Sequence, residues 1–451
     1  MSDIATLERE LRQSSTADDW AKLLRSSQSK TVAAVEGLNP LRQQALSQAS
    51  GLTLPSKRDE EWRFTDLADL VKVEFQTLPA PALAPDQLEA FILPEARHSR
   101  LVFINGAYNV AGSDLSALPA SVFVGPFSQL PAQGQARLLD YLGQSEGLGE
   151  AFTVLNTAGL DDVAVVWLPP ETLLETPVHL LFLTAVAHTP ALVQPRLLVV
   201  AEDHSRLTLA ESYGAVTDNC SDRPQHQPYF NNIVAEIFLG DNAQLTHLRN
   251  QRDSGDSFHI AKTAVNQQKN SHYQLVDINL GAKLSRHNLD VVQQGEQTTT
   301  QLFGLTAIAG RQVADTHSAI YLRYSHGTTE QLHKTIVDDY AHGIFNGKVL
   351  VPQAAQLTNA AQLNRNLLLS SKARINTKPE LQITADNVKC SHGATVSQLE
   401  ADELFYLRSR GLNDADARHL LIDAFAGEIL QRLPLPALQK RLEQCIACRT
   451  L

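Results

Sequence analysis

Cys390 and His392 stand two residues apart in the run Asp386-Asn387-Val388-Lys389-Cys390-Ser391-His392-Gly393-Ala394-Thr395-Val396. On a strand, residues i and i+2 face the same side, so the thiol and the imidazole would converge. That pairing of ligand types suits soft and borderline metals such as iron and zinc. Spacing alone, however, favours a buried cysteine beside a hydrogen-bonded histidine. The pair gains meaning only from what surrounds it.

Other residues with chemistry to offer are weaker. Cys445-Ile446-Ala447-Cys448 would place two thiols on one helix face. Two thiolates are half of a tetrahedral site, and no second pair lies nearby in sequence. The βαβ setting of a redox motif is missing too, so the pair is assigned no site. Cys220 sits alone in a polar stretch. Histidines 287, 317, 326, 333 and 342 are concentrated in the strand-rich middle region, where polar ladders hold structural histidines more often than ligands. Gly343 to Val349 (GIFNGKV) has three residues between its glycines and a valine where a phosphate loop needs Ser or Thr, so it reads as a turn. No other nucleotide loop is present, and no nucleotide is expected on this chain. Asp161-Asp162 and Asp338-Asp339 are adjacent, which points each pair to opposite faces of a strand. Together with the scarcity of aromatic residues, that weighs against a polysaccharide-acting β-helix enzyme.

The elements that must position these residues divide into three regions. The first, residues 1–95, reads as helical. Ile4, Leu7 and Leu11 repeat at helical spacing, as do Trp20, Leu23 and Leu24. Residues 30–49 give one or two more helices, broken near Gly37 and Pro40, and the Pro/Ala-rich stretch 78–86 reads as a linker. The second region, 96–380, changes to period two. Strands are expected at Leu101 to Ile104, Ala164 to Leu168, Val178 to Leu183, Arg196 to Val200, Arg206 to Glu211, Ile233 to Leu239, Gln244 to Arg249, His272 to Ile278, Ser285 to Val292 and Gln301 to Ala307. Turn residues recur between them at 240–242, 269–270, 281–282, 295–296 and 310–311. Short strands at such spacing mean a sandwich, a barrel or a solenoid. About 280 residues of strands without a helix exceed an ordinary sandwich, whereas a solenoid adds rungs without enlarging one core. The third region, 381–451, ends in helices. Glu400 to Arg410 is closed by Gly411, Asn413 with Asp416 resembles an N-cap, and Leu420, Leu421, Ala424, Phe425, Ile429 and Leu430 form a stripe.

Composition sets the outer bounds. The 451 residues carry a net charge of −11, which excludes the basic face of a nucleic-acid binder. The opening residues have no apolar core of a signal peptide. The most apolar stretch, Leu180 to Ala187, is too short to span a bilayer. Four irregularly spaced cysteines suggest a reducing compartment. A soluble, cytoplasmic protein is expected.

The Cys390–His392 run continues as Ser397 to Leu412 (SQLEADELFYLRSRGL), and the whole closely resembles the C-terminal signature of the SufB/SufD family of iron–sulfur cluster assembly proteins. Gly343 to Val351, Gln362 to Ser370 with Asn376 to Pro379, and Leu54 to Thr65 (LPSKRDEEWRFT) are similar to further blocks of that family, in family order. The resemblance implies a mainly β chain, with a right-handed parallel β-helix (solenoid) core flanked by N-terminal and C-terminal α-helical regions. It makes Ala354 to Leu363, helical by propensity, part of the rungs. No cysteine precedes 220, and the CSHGATV run lacks the glutamate of the SufB variant, so the SufD branch is the closer match. That branch implies a non-catalytic scaffold. It would pair with SufB through the β-helix and hold the ABC-type ATPase SufC through its C-terminal helices. A transient iron–sulfur cluster would form at the SufB interface, with His392 and Cys390 as candidate iron or cluster ligands. A SufB-like homodimeric scaffold remains open as an alternative, as does a homodimer of the chain alone.

Overall fold

The computed structural model describes residues 16–28, 35–185, 188–216 and 226–449. The helix expected at Ile4, Leu7 and Leu11 lies outside these residues, as does Cys220.

Strands dominate, from Arg100–Ile104 to Lys389–Gln398, in two facing sheets. From Arg196 onward, successive strands alternate between the sheets, and each pairs in parallel with the strand two further along. The pairings Gln244↔His272, His272↔Thr299, Thr299↔Thr328, Thr328↔Asn359 and Asn359↔Lys389 close one rung every 27 to 31 residues. Between Arg206 and Gln244 the interval is 38 residues, yet the strands pair in unbroken register. The chain is a parallel β-solenoid. The strand Asn359–Leu368 replaces the helix that propensity favours there, and paired strands continue past residue 380 to Gln398.

Each rung turns one corner on a left-handed residue. Asn242, Asn270, Gln297, His326 and Leu357 have φ of 60°, 54°, 64°, 61° and 60°. Their N–H groups donate to the carbonyls of Lys269, Glu296, Ser325, Gln356 and Asn387 in the next rung. Asn270 Nδ2 also donates to Asn242 Oδ1 at 2.7 Å. Asparagine tolerates this conformation, whereas leucine carries the full Cβ penalty.

The space between the sheets is packed by apolar residues such as Leu209, Leu245, Leu275, Leu302 and Val349. It is not wholly apolar. His247 Nε2 meets Glu211 at 2.8 Å, Arg249 donates to Asp277 at 2.9 Å, and His287 Nδ1 meets the other oxygen of Asp277 at 2.8 Å. Buried charges persist only when paired in this way.

The outer faces are covered too. Trp62, Phe152, Phe230, Phe258 and Ile260 form a cluster between the N-terminal region and one sheet. Leu248, Phe303, Leu305 and Ile336 of the other sheet pack under Ile422, Ala426, Ile429, Leu430 and Leu442 of the last helices. The first end of the coil is closed by two antiparallel strands, Ala107–Tyr108 against Arg100–Ile104 and Phe123–Pro126 against Ala164–Leu168.

Three local expectations change. The β region holds two short helices, Ala132–Leu138 and Ala151–Ala158. Pro40 does not break a helix but starts Asn39–Ala49, where its missing N–H costs nothing. The buried side of helix Asp414–Leu430 is Ala417, Ile422, Ala426, Ile429 and Leu430, so Leu420 of the expected stripe points outward, 49 % exposed. The caps hold as expected: Asp416 N–H donates to Asn413 Oδ1 at 2.9 Å, and Gly411 has φ of +100°.

Candidate functional site

Cys390 and His392 lie on the last strand of the coil, Lys389–Gln398. Its approach is fixed by polar turns. Gln353 Nε2 donates to Asp386 at 2.8 Å, and Asn387 N–H donates to Gln356 Oε1 at 3.0 Å. The strand then pairs only with Asn359–Leu368, with Ala360 beside Cys390 and Gln362 beside His392. Cys390 packs on the interior apolar cluster, so it faces the lumen. His392, two residues on, shares that face. Strand pairing thus brings the two onto one side, as their spacing predicts. His392 is exposed at the rim and Cys390 is half-buried.

Among the described residues, the last strand, and Arg374–Ile383 at the end of the opposite sheet, have no partner on their outer edges. Neither strand contains a fully buried residue. Val396 and Ile383 are exposed apolar residues there. Burial raises the Cys390 thiol above its ordinary value, which keeps it protonated at neutral pH. Among the described residues, no group of three or more His, Cys, Asp or Glu side chains is placed to hold a metal ion. Cys390 and His392 therefore make at most part of a ligand set among the described residues.

Beneath His392 runs a column of amides. Gln331 Nε2 donates to Ser318 Oγ at 2.8 Å, and Gln362 Nε2 donates to Gln331 Oε1 at 2.8 Å. The Gly343–Val349 segment is strand, not turn. A Cβ at Gly347 would come within 2.3 Å of Gln362 Nε2, so the second glycine of that motif makes room for the amide. Sequence reasoning missed this column, because its members are joined by register and not by local spacing.

The other histidines do not gather. His287 and His333 lie inside the coil, the latter stacked on Phe345 at 5.1 Å and held by burial at about 4. His326 occupies a left-handed turn, and His342 meets Asn376 at 2.6 Å. His317 sits on an outer face, where its ring lies between Asp315 at 2.9 Å and Glu61 at 3.1 Å. Glu61 belongs to the LPSKRDEEWRFT segment. It also accepts from Asn346 Nδ2 at 3.2 Å, while Glu60 pairs with Lys378 at 3.0 Å. This segment thus straps successive rungs together, over a cavity of about 670 Å³ lined by Trp62, Arg286, Lys262, Lys348 and Tyr321. There Lys262 pairs with Glu150 and Asp290, Arg286 with Asp315, and Lys348 with Glu61 and Glu380. Asp162 accepts from Ser128 and Val163, and Asp339 holds a turn, so both acidic pairs are structural. Cys445 is half-buried on the last helix, Pro436–Arg449, and the side chain of Cys448 lies outside the described residues.

The helix Ala401–Ser409 buries none of its residues, and Phe405 is 74 % exposed beside Tyr406. The following helix is pinned to the coil by Lys334, whose Nζ donates to Phe425 O at 2.8 Å and lies 4.4 Å from the Phe425 ring centre. The final helix is tied to the N-terminal region: Ala437 N–H donates to Glu95 at 2.8 Å, and Arg441 donates to the carbonyls of Ala90 and Ile92. No described helix is long and apolar enough to cross a membrane.

Comparison with known proteins agrees with this architecture. Residues 182–425 match the family model described as SUF system FeS cluster assembly, SufBD core domain, and residues 15–180 match the SufBD protein N-terminal region. An iron–sulfur cluster assembly SufBD family protein of Synechocystis sp. is 63 % identical over 410 residues, covering 91 % of this chain and 90 % of the relative. Protein ABCI7, chloroplastic, of Arabidopsis thaliana is 34 % identical over 84 % of this chain and 79 % of its own length. The iron–sulfur cluster assembly protein SufD of Escherichia coli is 31 % identical over 88 % of this chain and 89 % of its own. Two family models in sequence order and relatives aligned along nearly their whole length place the chain in one group: it belongs to the SufBD family of the SUF iron–sulfur cluster assembly system.

Proposed function

We propose that this chain is the SufD-type scaffold subunit of a SufBCD-type complex. It pairs with SufB through the open end of its coil and takes part in building a transient iron–sulfur cluster at that seam. His392, with Cys390 beside it, supplies iron or cluster ligands from this side, and SufB supplies the rest. The helices after Gln398 receive the ABC-type ATPase SufC. The chain itself is not an enzyme, binds no nucleotide and works in the cytoplasm.

The observation that carries this reading is the end of both sheets, unpaired among the described residues, with Cys390 and His392 on one face of its last strand. A bare sheet edge is a template for another strand, and an incomplete ligand set needs a second contributor. The exposed Phe405 and Tyr406 support the ATPase site, since large apolar side chains in solvent mark interaction surfaces. ATP-driven movement there can act on the seam only if the ATPase contacts these helices differently in its two states.

The test is His392→Ala in a complex reconstituted with SufB and SufC. Cluster yield, read as iron and sulfide per complex under anaerobic conditions, should fall severalfold. An unchanged yield removes His392 as a ligand. Gel filtration of the chain alone and mixed with SufB distinguishes the heteromer from a SufB-like homodimer.

A further inference from the structure

The amide column ends, toward the open rim, in an acceptor that nothing uses. On the inner face Ser318, Gly347 and Pro379 stand in register in one sheet, and Gln331, Gln362 and His392 in the other. Both donations described above run the same way, from Gln362 to Gln331 to Ser318. The free terminus of the chain is therefore Gln362 Oε1. Gln362 is 3 % exposed, and this oxygen has no hydrogen-bond partner among the described residues. A buried acceptor left without a donor costs about 1–3 kcal/mol. The next residue up the column is an imidazole, which carries a ring N–H in either tautomer.

We propose that Gln362 is a positioning residue for His392: turned toward the lumen, the exposed ring donates its N–H to the unused Oε1. That bond fixes the tautomer and holds the ring at the rim. It leaves the second ring nitrogen, lone pair outward, for iron delivered at the seam. Metal-ligating histidines almost always donate their other N–H to an oxygen in this manner. The amide orients the ring without adding a second charge to the lumen. Gly347 is part of the device, because any side chain there would push the amide aside. The hydrogen bond stands on the column alone; its service to iron rests on the ligand role proposed for His392.

The experiment uses the full-length chain with isotope-labelled histidine rings, at about pH 8 where an ordinary imidazole is neutral. The His392 signals are identified by their loss in His392→Gln. Nuclear magnetic resonance should show one dominant tautomer in the native chain. Gln362→Leu should convert it to the mixed tautomers of free imidazole, and Gln362→Glu, which keeps an acceptor oxygen, should preserve the single form. In the complex with SufB, Fe(II) affinity should fall roughly 10–100-fold in Gln362→Leu and recover in Gln362→Glu. Tautomers unmoved by Gln362→Leu overturn the proposal, even if His392→Ala abolishes cluster formation. Should Gln362→Leu fail to fold, Gln362→Glu decides: mixed tautomers there overturn it equally. Moved tautomers with cluster yield untouched by His392→Ala leave the hydrogen bond in place and remove the ligand role.

Discussion

The two ends of the coil are built on opposite plans. At the first, antiparallel strands fold back over both sheet edges, and Phe103, Phe182 and Tyr213 stack with ring centres 5.4 and 5.2 Å apart. At the last, Arg374–Ile383 and Lys389–Gln398 offer their outer edges to solvent. Solenoids need polar or covered ends to remain soluble. The bare end is the one that the proposed pairing with a partner would use. The same contrast separates apolar stacking at one end from a polar column and the Cys390–His392 pair at the other.

The comparison can be broken most sharply at the closed end. Phe182→Ala should cost about 3–5 kcal/mol in denaturant unfolding. Because the sites are far apart, it should change affinity for SufB by no more than about twofold. A large loss of pairing would mean that the ends are not independent.

At the open end the expected effects reverse. Lys389 N–H is engaged with Thr358 O at 2.9 Å, so alternation along the strand turns the N–H of Ala394 outward. Ala394→Pro should weaken pairing with SufB roughly tenfold or more by titration calorimetry. It should leave the melting temperature of the lone chain nearly unchanged, as proline is tolerated on an edge.

The strap over the outer face sharpens the contrast through pH. The hydrogen bond from His317 does most to lower Glu61, to about 2. Burial works against a charged His317, but Asp315 and Glu61 raise its pKa above the ordinary 6.5. The stability from His317 is fully present below 6.5 and is lost as pH rises through its raised value; that from Glu61 is present above 4.5 and is lost as pH falls through about 2. The difference in melting temperature between the native chain and His317→Gln should be widest between pH 4.5 and 6.5 and shrink on the alkaline side. Partner affinity should show no such dependence on His317.

The smallest effect concerns the corner column. Leu357 is 49 % exposed in a left-handed turn. Leu357→Asn should stabilise the chain by about 1 kcal/mol in denaturant unfolding, because asparagine accepts that conformation.

Much of this was legible in the sequence. Where a strand buries one face, as around Leu245 or Leu302, alternation exposes it. Phe258–Gln267 escaped notice because it is wholly buried yet carries Lys262, Thr263, Asn266 and Gln267, so it shows neither alternation nor the continuous apolar run of Val178–Ala185. Ala151–Ala158 is too short to show a period: seven of its eight residues are buried, and its polar ones, Thr153, Asn156 and Thr157, face protein and not solvent. The stripe on Asp414–Leu430 was misassigned because apolar residues occupy several faces, and only the sheet beneath selects Ile422, Ala426 and Ile429. For the site, Cys390 and His392 could be paired from an i, i+2 rule. Gln362 could not be joined to His392, since they meet only through the register of adjacent rungs.

The longer interval between Arg206 and Gln244 has a consequence for how such chains change length. The ladder on either side keeps its pairing although more residues intervene, so the added length lies outside the paired stretches. Duplication of a whole rung and outgrowth at a bend are then the two routes open to evolution. A reporter peptide spliced between Val216 and Tyr229 should leave both sheets intact, whereas one added residue inside a strand would turn every later side chain to the wrong face.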